Sequence, residues 1–145
     1  MLLGGLIDFG RGVKHAQEVM AAVAEGRLRG PVTAWHCCLE IYAVATRLPE
    51  EFRLMPRDAL RLLDEEVLRR FEVAELPAAS RLSLLQTAVE ERAAGGRIYD
   101  VHIAEIARRT GARLVVTDNV RHFSGLARDG LRVVDSGTLA AELRR

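Results

Sequence analysis

The stretch from Gly95 to Phe123, GGRIYDVHIAEIARRTGARLVVTDNVRHF, constrains the fold of this chain more than any other. Two adjacent glycines end one helix, and Ile98, Tyr99 and Asp100 open the next. Val101, Ile103, Ala104, Ile106 and Ala107 are its apolar positions, and Gly111 stops it. Leu114-Val115-Val116-Thr117 is a short, continuously apolar run between turn residues, the pattern of a strand buried on both faces. Asp118 and Asn119 stand just past the carboxyl end of that strand, where open parallel α/β sheets place their chemistry. A helix-start acid and a strand-end pair are thus expected to converge on one crevice.

The remaining chain keeps up the alternation. His15 to Glu25 predicts an amphipathic helix with Ala16, Val19, Met20 and Val23 on one face, closed by Gly26. Pro31 to Ala34 reads as a short strand. From about Cys37 to Leu48-Pro49 the period is helical, with Leu39, Tyr42, Ala43 and Thr46 recurring on one face. Glu50 to Leu54 connects to a helix that Pro56 starts, with Asp58 facing its positive end and Leu60, Leu63, Val67 and Phe71 along its apolar side. Val73 to Leu76 is a further strand. Ser80 is placed to cap a helix that carries Leu82, Leu85, Ala88 and Val89 and runs to Gly95. Leu131 to Val134 is a last strand, and Ser136-Gly137-Thr138 starts a terminal helix. Helices alternating with short apolar strands predict one three-layer α/β domain, residues 1–145, with a mainly parallel central sheet. A chain of 145 residues suffices for one core.

A formal charge of +1 gives no global electrostatic footprint, so any nucleic-acid surface must be local. Arginine replaces lysine everywhere except Lys14, which suits phosphate contacts or reflects coding composition. Cys37 and Cys38 are neighbours with no metal-ligand spacing, as expected of small buried groups in a reducing cytoplasm. Met1–Ile7 lacks the basic region of a signal peptide, and no run reaches the ~18 apolar residues of a membrane span.

Three acids carry candidate chemistry, each beside a plainer alternative. Asp100 is a site acid or a helix cap. Asp118, next to Asn119, is a site acid or a turn residue. Glu40, between Leu39, Ile41 and Tyr42, is a buried acid needing a partner or a charge facing a helix dipole. Acids gathered on one sheet edge suit a hard divalent cation, which takes carboxylate oxygens and retains waters.

Gly96-Arg97-Ile98-Tyr99-Asp100 opening a helix, then a strand ending Thr117-Asp118-Asn119 with Phe123 beyond, resembles the C-terminal half of PIN-domain nucleases. The resemblance is closest to the toxins of VapBC-type toxin–antitoxin pairs and extends roughly from Gly30 to Val134. It implies a three-layer α/β/α PIN-like fold. It also implies a metal-dependent endoribonuclease using Mg²⁺ or Mn²⁺, with RNA as substrate, a cognate antitoxin as partner, a homodimer and a cytoplasmic location. Glu40 matches the second acidic position of the family, so Glu40 and Asp100 are implied metal ligands, and the adjacent Asp118 is a third where its turn rotates it inward. Asn119 stands at the fourth position, two residues after Thr117, and Thr117 and Asn119 are expected to support the site by hydrogen bonds. Arg97 and Arg121 flank the acids and are candidates for RNA phosphates or for solvated surface. His122 is read chiefly as a surface histidine, and His36 and His102 as structural.

The first acid of the family ends a hydrophobic strand. Nothing in Met1–Gly12 matches it cleanly: either the first strand lies upstream of Met1, or Asp8 after Leu6-Ile7 is the surviving acid, with Gly4-Gly5 weakening the strand before it. The competing function is a catalytically degenerate PIN scaffold that binds RNA or protein. A nucleotide-binding regulator ranks last, because Gly4–Gly10 is neither GxGxxG nor a P-loop.

Overall fold

Helix and strand alternate much as the periodicities predict in the computed structural model, which describes residues 1–8, 13–123, 125 and 130–145. The chain divides into two units, Met1–Val73 with Ser136–Arg145, and Ala74–Asp135. Among the described residues the strands pair two by two, β1 (Val32–Ala34) with β2 (Glu72–Ala74) and β3 (Leu114–Val116) with β4 (Arg132–Val134).

The first unit opens with a helix rather than a strand, α1 (Leu2–Leu6). Asp8 therefore follows a helix, and the adjoining residues Phe9–Gly12 lie outside those described. Helix α2 (Lys14–Ala24) buries Ala16, Val19 and Met20 as its spacing predicts, and Gly26 beyond it takes a φ of +73°. Helix α3 (Trp35–Ala45) turns Cys38, Ile41 and Ala45 inward, while Leu39 is 54% exposed and Tyr42 is also exposed. The face predicted from Leu39, Tyr42, Ala43 and Thr46 is corrected accordingly. WHCCLEIYAVA is apolar nearly all round, so its own period is weak, and the inward face is the one that meets Leu63 and Val67.

Helix α4 (Pro56–Leu63) begins on its proline, after Met55 in the extended conformation a pre-proline residue favours. A π-turn, Asp64–Leu68, continues it and buries Val67, whereas the predicted face residue Leu60 is exposed. The sequence did not indicate the π-turn, whose wider hydrogen bonds add one residue to the turn after Leu63; Leu60 lies before it, on the outer side of α4. A second cluster of Ile7, Ala45 and Ala59, flanked by Leu48, Leu54 and Leu62, completes the core of this unit. The terminal helix, α7 in chain order (Ser136–Leu143), packs on α2, and Arg144 ion-pairs with Glu18.

In the second unit, α5 (Arg81–Glu90) follows a 3-10 turn at Ala78–Ser80. Ser80 does not cap it. Its backbone is helical (φ −92°, ψ −3°) where a cap needs the extended region, and its carbonyl accepts from Ser83 Oγ at 3.0 Å. Nor does α5 reach Gly95. Arg92 adopts a left-handed φ of +52°, and the Ala93 N–H donates to the Ala88 carbonyl at 2.8 Å, closing the helix early. Only Ala88 is buried on this helix; Leu82, Leu85 and Val89 are exposed.

Helix α6 (Arg97–Arg109) buries Val101, Ile106 and Ala107. Gly111 ends it at φ +65°, with the Ala112 N–H donating to the Ala107 carbonyl at 3.0 Å, a closure that needs a left-handed residue at that point. Strands β3 and β4 run parallel, with Val115 opposite Val133, and the Thr117 N–H extends the ladder to the Val134 carbonyl at 2.9 Å. Val115 is buried, but its strand neighbours Leu114 and Val116 are only partly so, which tempers the expectation of burial on both faces. The core of this unit is Ala107, Val115 and Phe123, with Ile103, Ala104, Ala112, Leu131 and Val133 packed around it.

Candidate active site

The head of α6 decides how Asp100 is used. Gly96 occupies the N-cap and makes no side-chain capping bond, so the capping position is already taken. Asp100, in the first turn, instead accepts a hydrogen bond on Oδ2 from His122 Nδ1–H at 2.8 Å. Both side chains are partly shielded, Asp100 at 19% and His122 at 24% exposure. Among the described residues, no bond is made to Asp100 Oδ1. A carboxylate held by one oxygen with the other open is not the geometry of a cap.

The strand end supplies the partner. Past β3, the Asn119 N–H donates to Thr117 Oγ1 at 3.2 Å, so the threonine hydroxyl organises the turn that carries Asp118 and Asn119. The chain then enters a 3-10 turn, Val120–Phe123, in which the His122 N–H donates to the Asn119 carbonyl at 2.9 Å. Phe123 closes that turn by burying its ring in the core, at 2% exposure. One apolar anchor thus places His122 opposite Asp100, 22 residues away in sequence. Asp118 and Asn119 are exposed, and Thr117 is partly buried.

The sequence reading missed this use of His122. The available signal was its place just before an anchoring phenylalanine on the carboxyl side of β3. Arg97, at the first position of α6, has a buried Nε with no hydrogen-bond partner, an unspent donor three residues from Asp100. Arg121 is exposed.

Glu40 belongs to the first unit, on α3, and is exposed. The premise that it is a buried charge is therefore corrected; it is the sixth residue of α3, one turn in from the helix start. The exposed side of that helix carries Glu40 because Cys38 and Ile41 fill the buried side. The Cys37 thiol is pushed above its ordinary value, chiefly by burial, and the nearby Glu40 charge adds to the rise. Hydrogen bonds from the Thr33 side chain and the Ala34 backbone oppose it. His36 Nε2 lies 3.5 Å from Cys37 Sγ. His102 is lowered by burial, with Glu75 acting against the shift. Asp8 is exposed beside buried Ile7.

Among the described residues, no three or more His, Cys, Asp or Glu side chains gather as a metal-holding group. The sequence-predicted site residues of this stretch carry oxygen donors, carboxylates at Asp100 and Asp118, an amide at Asn119 and a hydroxyl at Thr117, and the neighbour Asp100 meets is the imidazole of His122. Those oxygen donors fit a hard cation of the Mg²⁺ or Mn²⁺ kind and not a soft one. Both cysteines are free and lie on α3. No helix among the described residues is long and apolar enough to cross a membrane.

Ribonuclease VapC27 of Mycobacterium tuberculosis is 37% identical to this chain over 100 residues, covering 68% of the chain and 69% of the relative. No family model matches the chain, and no solved structure matches it significantly.

Proposed function

The chain belongs to the VapC-type PIN-domain nuclease family, and on that footing we propose that it is a metal-dependent endoribonuclease, the toxin of a type II toxin–antitoxin pair. The observation that carries the reading is 37% identity to a ribonuclease across 68% of the chain. The bond from His122 to Asp100 supports it, because it removes the capping role that would otherwise account for that acid.

In this reading Glu40, Asp100 and Asp118 are the metal-holding carboxylates, and Mg²⁺ or Mn²⁺ is the cofactor. When bound, such a cation activates water and offsets charge on a scissile phosphate. Thr117 and Asn119 hold the turn that presents Asp118, through the 3.2 Å bond between them. Arg97, partly buried, and Arg121, with an exposed guanidinium, are the arginines assigned to RNA phosphates. The family reading extends to a three-layer single domain with a mainly parallel central sheet, for which the parallel β3–β4 pair is the supporting feature. It extends also to a cognate antitoxin, a homodimer and a cytoplasmic location.

The test is cleavage of single-stranded RNA by the purified full chain with Mg²⁺ or Mn²⁺, against EDTA and against Glu40→Gln. Metal-dependent cleavage that Glu40→Gln abolishes is the expected result. A folded wild-type chain that binds RNA or protein but cleaves nothing under any divalent ion would replace the enzyme with a degenerate binding scaffold.

A further inference from the structure

We propose that His122 is a positioning residue for the Asp100 carboxylate, fixing which oxygen it offers to the metal; this rests on the assignment of Asp100 as a ligand. A free aspartate carboxylate turns about a broad terminal torsion and presents either oxygen. Here His122 Nδ1–H holds Oδ2 at 2.8 Å, so that Oδ1 is the oxygen left to present. Hydrogen bonds of this kind to ligating carboxylates orient the ligand and raise metal affinity.

The ring is in turn fixed from behind. The His122 N–H is tied to the Asn119 carbonyl at 2.9 Å, and the next residue, Phe123, is buried among Ala107 and Val115. Ala107 lies on α6, the helix that carries Asp100, and Val115 lies on β3, which leads to Asp118. The 3-10 turn is therefore referenced to both elements that bear candidate ligands. His122 touches no reacting atom in this role. It acts through Asp100.

The role separates from a purely structural one by chemistry at a single atom. Asn places its side-chain nitrogen, a donor, where histidine has Nδ1, whereas Ala leaves the carboxylate unheld. Mn²⁺ binding to the full chain, followed by electron paramagnetic resonance, is measured for wild type, His122→Ala and His122→Asn, with metal-free melting temperatures recorded alongside. The expected result is binding about 10- to 100-fold weaker in His122→Ala and mostly restored in His122→Asn. RNA cleavage by His122→Ala should then recover at saturating Mn²⁺. Unchanged Mn²⁺ affinity in a folded His122→Ala overturns the positioning role alone. Equal loss in the Ala and Asn variants, matched by a fall in metal-free melting temperature, also overturns it, since the side chain would then serve only the fold. A wild-type chain that takes up no Mn²⁺ overturns the metal reading of Asp100 and this role with it.

Discussion

Phe123→Ala is the perturbation that best tests how the second unit holds its chemistry. The ring is 2% exposed and packs on Ala107 and Val115, with Leu131 and Val133 around it. Burying an aromatic side chain removes roughly 150–250 Å² from water, worth about 4–6 kcal/mol at ~25 cal/mol per Å². Core Phe→Ala substitutions cost about 3–5 kcal/mol. The two estimates agree, and either is a large fraction of the ~5–15 kcal/mol that stabilises a domain. For a chain of this size the fall in melting temperature should be roughly 6–20 °C, taking about 2–4 °C per kcal/mol. Urea unfolding of Phe123→Ala beside wild type measures the loss directly, and His122→Ala, whose side chain is a quarter exposed, serves as the control. A loss below about 1 kcal/mol for Phe123→Ala would refute the reasoning, because a ring that can be deleted so cheaply anchors no turn.

Two further outcomes follow from local geometry. Gly111→Ala should cost about 1–2 kcal/mol in urea unfolding, because φ is +65° there and a Cβ resists that region even though open space surrounds it. Burial raises the Cys37 thiol, so the folded state holds its proton more tightly than the unfolded chain does. The contribution is complete below the unfolded thiol value of about 9 and is lost as pH rises through the higher folded value. Melting temperatures of wild type should therefore fall more steeply than those of Cys37→Ala above about pH 9; parallel curves would contradict this.

Much of the fold was legible because several signals were strictly local. Pro56 began its helix, Gly26 and Gly111 ended theirs, and the apolar runs at Val32–Ala34, Leu114–Val116 and Arg132–Val134 became strands. What escaped the sequence depended on partners distant in the chain. The inward face of α3 could not be chosen from eleven nearly all-apolar residues, and Leu63 and Val67 chose it. Arg92 ended α5 in a left-handed conformation that an arginine does not advertise. The pairing of His122 with Asp100 spans 22 residues; the phenylalanine after His122 marked the anchor, but nothing local named Asp100 as the partner. Asp100 itself was legible as a helix-head acid. Its freedom from capping was not, because Gly96 occupies the N-cap only once the turn before it is formed.

The central claim is that Asp100 is a metal ligand of a ribonuclease. The direct measurement compares wild type with Asp100→Asn, following the melting temperature with and without Mn²⁺ and RNA cleavage in the same preparations. At free Mn²⁺ near 100 times the dissociation constant, wild type should gain about 2.7 kcal/mol, or roughly 5–11 °C. Asp100→Asn should lose both that gain and cleavage while its metal-free stability holds, since the Asn carbonyl still accepts the bond from His122 Nδ1–H. Metal-dependent RNA cleavage that survives in Asp100→Asn would contradict the account.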